Sequence, residues 1–191
     1  MTLKEGAKAL KRGTPQGDCC SDCTNGLISI RNNEDEKMPR QYWLMKSEPT
    51  AYSIADLEAD GVTCWDGVRN YQARNFMRDA MQIGDGVLFY HSVVEPIGIV
   101  GEAKVVKRGY PDYTAWDPKE KHYDPKASPA HPIWSMVDIK FVRVCREVIT
   151  LSRLRTIPAL EKMEILKRGS RLSVSPVTEE EYKTILTLRE W

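Results

Sequence analysis

The sequence has no long apolar segment and no excess of one charge. No window approaches the roughly 18–20 uninterrupted apolar residues that a membrane-spanning helix needs, and the amino terminus lacks the apolar core of a signal peptide. Lys and Arg number 28 against 27 Asp and Glu, which gives a net charge of +1. This balance excludes a histone-like protein that coats polyanions and an acidic disordered tail. We therefore expect an intracellular globular protein that makes no membrane contact.

Motifs of the common enzyme classes are also missing. The chain has no G-x-S-x-G elbow, no P-loop, no dinucleotide-binding G-x-G-x-x-G and no H-E-x-x-H metal motif. Its three histidines are His91, His122 and His131. His91 follows a Tyr in an apolar run, where a structural or pocket-lining histidine is expected. We predict that the protein is not an enzyme and needs no cofactor.

The cysteines are irregularly spaced. Their odd number, five, argues against a disulfide framework. Cys20 and Cys23 form a C-x-x-C with Cys19 adjacent, but a structural zinc site needs four ligands and the chain has no second pair. We expect these thiols to be inert and predict no metal site, with a three-thiolate metal or redox clip as the alternative. Cys64 and Cys145 lie in apolar runs and are expected to be buried thiols.

Aromatic residues are absent from residues 1–37. All five Trp, eight Tyr and three Phe lie at or beyond Tyr42. Residues 1–37 also lack sustained apolar periodicity, so we predict a flexible amino-terminal extension at 1–37 and one folded domain at 38–191. Met38 is an alternative start of the protein in this interpretation, and mass spectrometry of the native amino terminus would decide it.

Apolar periodicity and capping residues predict short strands and helices in alternation. Ser53 fits an N-cap for a helix that ends at Gly61, and Thr178 with Glu181 fits a capping box for the last helix. A helical apolar stripe runs over residues 73–81. Strands are predicted at 41–46, 62–65, 86–92, 97–105 and 136–148, and short helices near 151–154 and 158–163.

The longest predicted strand changes face within its length. Val137, Ile139 and Phe141 share one face, and Val142 and Val144 then continue the apolar alternation out of phase. This slip predicts a β-bulge.

The order of the elements does not follow a regular βαβ repeat. It predicts an α+β fold, a small and strongly curved mixed sheet flanked by short helices. The irregular segment 107–132 exceeds the length of about 12–15 residues beyond which a structureless loop is usually functional. We expect it to border the functional site.

Three polar patches are candidates for ligand binding. Trp65 precedes Asp-Gly and is followed by Arg69 and Asn70, a ring beside donors that suits a stacked nucleobase. The alternative is a core ring with a surface cation. Residues 46–48 offer an ammonium, a hydroxyl and a carboxylate after the first strand. Residues 150–175 hold six basic and two acidic side chains, a local excess of +4 (6 − 2), which suits either phosphate contacts or a solvated helix face.

Five ordered motifs resemble the EVE domain family. They are YWLMKSEP at 42–49, WDGVRN at 65–70 with ARN at 73–75, GDGVLFYHS at 84–92, DPK at 117–119 with YDPK at 123–126, and RGSRLSV at 168–174. The resemblance runs from about Met38 to the carboxyl end and leaves out residues 1–37. It implies a PUA-like fold, a small mixed β-barrel or curved sheet related to the YTH and ASCH domains.

The resemblance also implies a function and a site. EVE domains are thought to bind a modified base flipped out of DNA, of the 5-methylcytosine or 5-hydroxymethylcytosine type, in an aromatic pocket without catalysis. Trp65 would stack on the base, Asn70 would contact its edge, and Trp134 would form a second wall, with Trp116 as its rival. The mouth of the pocket would be formed by Lys46, Ser47 and Glu48, and the turn after Trp65 would add Gly67 and Val68. The back of the pocket would be formed by Tyr90, His91 and Ser92. The phosphates of the nucleic acid would be contacted by Arg69, Arg168 and Arg171.

Other functions stay open at this point. The chain is also compatible with an RNA-binding PUA-like module, with a protein that binds a small ligand or nucleotide, and with a nucleotide-modifying enzyme that uses Glu48 and His91 as acid and base. We expect modified DNA or RNA as the partner and a monomeric protein. The expected location is cytoplasmic, or nuclear if the protein is eukaryotic.

Overall fold

Six strands form one mixed sheet. The computed structural model describes residues 39–188, 190 and 191, and the statements below concern that part of the chain. The strands are β1 Tyr42–Ser47, β2 Val62–Trp65, β3 Gly86–His91, β4 Gly98–Pro111, β5 Ser135–Thr150 and β6 Val174–Val177. Their order is β2-β5-β4-β3-β1-β6, with β1 and β3 parallel and the other neighbours antiparallel. The sheet is curved and unclosed, which confirms the predicted α+β class.

Short helices flank the sheet. They are α1 Ile54–Asp60, α2 Tyr71–Asn75, α3 Leu151–Arg155 and α4 Glu179–Leu186, together with a π-helical turn at Phe76–Ala80 and 3-10 turns at Tyr113–Ala115, Pro158–Leu160 and Glu164–Leu166. None of the helices in the described residues is long and apolar enough to cross a membrane.

Both predicted helix caps are confirmed. The Ser53 hydroxyl accepts from the Asp56 N–H while the Asp56 carboxylate accepts from the Ser53 N–H, and α1 ends at Gly61 with φ of 71°. Thr178 and Glu181 make the same reciprocal pair at the start of α4. These bonds satisfy backbone donors that the first turn of a helix leaves without partners.

The predicted bulge in β5 is confirmed as well. Glu102 of β4 pairs with Arg143, whereas the next residue, Ala103, pairs with Phe141. Val142 is therefore the extra residue, at the point where the apolar alternation changes phase.

The sheet has two differently covered faces. Trp43, Met45 and Phe89 belong to an apolar cluster with α1, α2 and the π-helical turn. We call this side the cleft face, because the cleft described below opens at its margin. Leu88 and Tyr90 belong to a second cluster with α3, α4 and the 3-10 turn at Pro158–Leu160, and we call that side the closed face. Successive residues of a strand point to opposite faces, which explains the division.

The structure corrects three features of the predicted topology. β6 was not predicted, β4 continues to Pro111, and the irregular segment therefore begins later than residue 107. β6 carries Pro176, which is tolerated because this strand lies at an edge of the sheet. The predicted extension at 1–37, with its cluster of three thiols, lies outside the described residues, so the boundary at 37/38 stays a prediction.

Candidate nucleic-acid interface

A cleft of about 560 Å³ opens where β1 and β2 end. It lies between the turn that follows β1, the loop that follows β2, and part of the long loop after β4. Its lining residues are Lys46, Ser47, Glu48, Ala51, Tyr52, Thr63, Cys64, Trp65, Asp66, Gly67, Val68, Arg69, Lys121, His122 and Ser173. Seven of the fourteen predicted site residues are among them: Lys46, Ser47, Glu48, Trp65, Gly67, Val68 and Arg69.

Hydrogen bonds fix the turn on one side of the cleft. The Ser47 hydroxyl donates to the Tyr52 carbonyl at 2.6 Å. The Ser92 hydroxyl and N–H both donate to the Ser47 carbonyl, at 3.1 and 2.9 Å. Ser47 and Ser92 thus hold the ends of β1 and β3 together, while Glu48 stays exposed in the turn.

The loop on the other side is held by a buried carboxylate. Asp112 accepts from the Gly67 N–H at 3.1 Å, from the Thr114 hydroxyl at 2.6 Å and from the Arg69 guanidinium at 2.7 Å. Gly67 has φ of 69°, and a Cβ there would come within 2.6 Å of the His122 ring. Glycine is therefore required at this position both by the backbone conformation and by the close approach of the ring.

Arg69 is committed to the loop and is largely withdrawn from solvent. Besides the Asp112 ion pair it donates from Nε and Nη2 to the His122 carbonyl, and its side chain is 22% exposed. The guanidinium also lies 5.4 Å from the centre of the Trp134 ring. These partners occupy most of its donors, so the structure supports a positioning role for Arg69 and leaves the predicted phosphate contact without support.

Trp65 belongs both to the core and to the cleft. The residue is 8% exposed, and its ring meets Phe89 edge to face at 5.4 Å between centroids. Sequence reasoning left a core ring and a pocket ring as alternatives, and the structure combines them. Stacking of Trp65 on a base stays a prediction.

The structure does not bring Tyr90 to the cleft. Tyr90 is 2% exposed and lies on the closed face, because it directly follows Phe89, whose side chain is on the cleft face. His91 returns to the cleft face, where its Nε2 accepts from the Ile54 N–H at 3.1 Å. Desolvation lowers the pKa of His91, which favours the neutral ring that this hydrogen bond requires.

Asn70 and the two proposed wall residues also lie outside the lining. The Asn70 side-chain oxygen caps α2 by accepting from the N–H groups of Gln72 and Ala73. Trp134 is buried, donates from Nε1 to Asp124 at 2.7 Å and has the Arg69 guanidinium over its ring, and it is not among the residues that line the cleft. Trp116 packs with Trp134 in a separate small cluster.

Three basic residues, Lys46, Arg69 and Lys121, line the cleft, and the predicted Arg168 and Arg171 lie outside the lining. Partial burial lowers the pKa of Lys46, with the Glu164 carboxylate acting in the opposite direction. Arg168 and Arg171 are exposed in the segment that leads to Ser173, a lining residue. This segment could present both guanidinium groups to a polyanion beside the cleft.

Sequence reasoning missed several lining residues. Tyr52, Asp66, Lys121 and His122 were not assigned to the site, and only Asp66 lay within a motif that had been singled out. Cys64 also lines the cleft, and burial raises the pKa of its thiol. No three His, Cys, Asp or Glu side chains of the described residues are grouped to hold a metal ion.

Comparison with known proteins confirms the predicted family. A model described as the EVE domain matches residues 41–188. Rat thymocyte nuclear protein 1 is 46% identical over 168 residues, which cover 78% of this chain and 74% of the relative. A crystal structure of a Pseudomonas syringae protein is 50% identical with a TM-score of 0.74, covering 76% of this chain and 97% of that one. Human THYN1 protein, crystallised in complex with 5-methylcytosine-containing DNA, is 44% identical with a TM-score of 0.73, covering 79% and 98%. The chain belongs to the EVE domain family, and its fold is PUA-like.

Proposed function

We propose that the protein is a non-enzymatic reader of modified DNA, which holds a flipped base of the 5-methylcytosine or 5-hydroxymethylcytosine type in the cleft beside Trp65. The observation that carries the proposal is the cleft itself, in a chain 44% identical to a protein crystallised with 5-methylcytosine-containing DNA. Its volume of about 560 Å³ falls within the range of about 300–1,000 Å³ that is usual for ligand pockets.

The chemistry of the cleft suits this task. Flipping a base costs a few kcal/mol of unpairing and unstacking, which a pocket of aromatic and polar groups can recover. Trp65 supplies aromatic surface, while Lys46 and Lys121 supply positive charge at the same cleft. Selectivity for one methyl group is expected to be about 10- to 200-fold, since a methyl in a hydrophobic pocket is worth only about 1–3 kcal/mol.

The geometry gives less support to catalysis. A general base needs an available lone pair within reach of its substrate. The Nε2 lone pair of His91 is occupied by the Ile54 N–H, and Tyr90 and His91 point to different faces. These contacts favour a binding module over an enzyme that pairs Glu48 with His91.

Fluorescence anisotropy with labelled duplexes tests the proposal. One duplex carries a single 5-methylcytosine, a second is its unmodified twin, and an RNA duplex of the same sequence is the third. We expect at least 10-fold tighter binding of the modified DNA. Equal affinity for the two DNA duplexes would contradict the reader function, and tighter binding of RNA would replace it with the RNA-binding alternative.

A variant series places the effect in the cleft. Trp65→Leu should abolish the preference for the modified duplex, whereas Trp191→Leu, a change of the same type far along the chain, should keep it. Circular dichroism on both variants verifies folding, which is necessary because Trp65 is also a core residue.

The remaining parts of the proposal concern assembly, location and chain organisation. We propose a monomer with a folded domain at 38–191, an extension at 1–37, and a nuclear location if the chain is eukaryotic or a cytoplasmic one if it is bacterial. Light scattering tests the assembly, limited proteolysis the chain organisation, and imaging of a tagged protein the location.

A further inference from the structure

Two carboxylates line the cleft, Glu48 and Asp66, and among the described residues neither side chain receives a hydrogen bond or an ion pair from another residue. Asp66 follows Trp65 directly and is exposed. We propose that Asp66 accepts a hydrogen bond from the amino group of the flipped base, so that the site selects amino-bearing pyrimidines over keto pyrimidines. This inference rests on the proposed function.

The neighbouring Asp112 shows why Asp66 is available. Asp112 is fully buried and takes up the nearest donors, the Gly67 N–H and the Arg69 guanidinium. Arg69 also donates to the His122 carbonyl. The loop after β2 is thus held in place by Asp112, and Asp66 is presented on that loop without being neutralised.

The electrostatics of Asp66 agree with an unfilled acceptor. Asp66 is exposed as a residue but lies against the cleft wall, and the resulting partial desolvation, followed by repulsion from Asp112, raises its pKa, while His122 and Arg69 act in the opposite direction. A hydrogen bond donated to the charged carboxylate lowers its pKa again. The amino group of a bound base would supply the donor that the protein itself does not.

The edges of the two pyrimidine classes make the choice specific. Cytosine presents its N4 amino group as a donor, and Asp or Glu is the side chain that accepts from it. Thymine presents O4, an acceptor, at the same place. An acceptor facing a carboxylate leaves both groups without a partner, and a site built around such a hydrogen bond rejects the wrong analogue strongly.

The rival carboxylate is Glu48, which also lines the cleft. Both residues are exposed, but Glu48 lies in the turn after β1, whereas Asp66 adjoins the ring expected to stack on the base. The two residues can be separated by the matched variants Asp66→Asn and Glu48→Gln, each of which exchanges one carboxylate oxygen for an amide nitrogen.

The experiment compares 5-methylcytosine with thymine, because both bases carry the 5-methyl group. Each base is placed opposite an abasic site in the same duplex, so that the cost of unpairing does not differ between them. We expect the wild-type protein to prefer 5-methylcytosine by at least about 10-fold. Asp66→Asn should reduce this preference to less than about 3-fold or reverse it, since an amide can donate to O4, and Glu48→Gln should leave it intact.

The outcomes distinguish this inference from the proposed function. A wild-type protein that prefers 5-methylcytosine over cytosine but not over thymine overturns the role of Asp66 and leaves the reader function standing. Equal binding of cytosine and 5-methylcytosine, with thymine rejected through Asp66, overturns selectivity for the modification and supports the role of Asp66. Loss of the thymine rejection in Glu48→Gln, with Asp66→Asn unchanged, assigns the contact to Glu48 and overturns the inference.

Discussion

The two faces of the sheet use the same strands for different purposes. On the closed face, Tyr90 is covered by packed helices, and its side chain has no access to the cleft. On the cleft face, Trp65 belongs to the apolar cluster and also lines the cleft. The cleft is open between two loops that hydrogen bonds hold in place. The contrast is between a face that packed helices cover and a face that keeps an open cleft of about 560 Å³ at its margin.

Truncating Tyr90 should give the largest loss of stability, and it tests whether Tyr90 serves the packing of the closed face. Tyr90→Ala should lower the free energy of unfolding by about 3–5 kcal/mol, as other large aromatic truncations do. Urea denaturation measures this loss. The conservative variant Tyr90→Phe should keep both stability and affinity for the modified duplex, and a selective loss of affinity in Tyr90→Phe would bring Tyr90 back into the site.

Removing the buried carboxylate beneath the cleft is the next largest change. Asp112→Ala should destabilise the protein by about 3 kcal/mol, because Arg69 and the Gly67 N–H lose their partner. Affinity for modified DNA should fall even where the variant is folded, since the loop after β2 is no longer held. An unchanged affinity would show that the cleft does not depend on this loop.

The same carboxylate predicts a pH dependence. Burial alone would raise the pKa of Asp112, but hydrogen bonds from Thr114 and Arg69 hold it below its ordinary value. Its contribution to stability is therefore present above pH of about 4, the value for an unfolded Asp, and is lost as the pH falls through the lower folded pKa. Thermal unfolding at about pH 7 and about pH 3 should show a smaller drop in the melting temperature for Asp112→Ala than for the wild-type protein.

The exposed arginines give the smallest effect on the fold. Arg168→Ala and Arg171→Ala should leave stability within about 0.5 kcal/mol of wild type, as surface substitutions usually do. Binding should weaken equally for modified and unmodified DNA, and the slope of log K against log salt should become shallower by about 0.9 for each phosphate that is no longer neutralised. Lys183→Ala, on the outer side of α4, is the matched control, and an equal effect there would contradict a phosphate interaction by residues 168–171.

Local patterns predicted much of this fold. The Ser53 and Thr178 caps and the bulge at Val142 follow from bonding rules and alternation within a few residues, and all three were predictable. The orientation of Tyr90 was predictable too, because strict alternation places it opposite Phe89 and His91. The edge strand β6 was missed because Pro176 and a run of polar residues obscure its short apolar pattern.

The site was less accessible to sequence reasoning. The ion pair between Arg69 and Asp112 joins residues 43 positions apart, and no local pattern reports such a contact. Segment 107–132 was expected to border the site, but that its Lys121 and His122 are the residues that line the cleft could not be predicted before the path of the loop was known. Three of the five motifs that carry the resemblance, at 42–49, 65–70 and 168–174, supply lining residues, but the resemblance could not say which side of each motif faces the cleft.

We expect the flipped base to occupy the open margin of the cleft face. NMR of the protein bound to a duplex with a single 5-methylcytosine measures this position through nuclear Overhauser effects from the 5-methyl protons. Contacts should run from that methyl group to the indole protons of Trp65, with none to Tyr90 or Trp134. Contacts to Trp134 instead, or a bound duplex whose methyl group shows no contact with the protein, would contradict it.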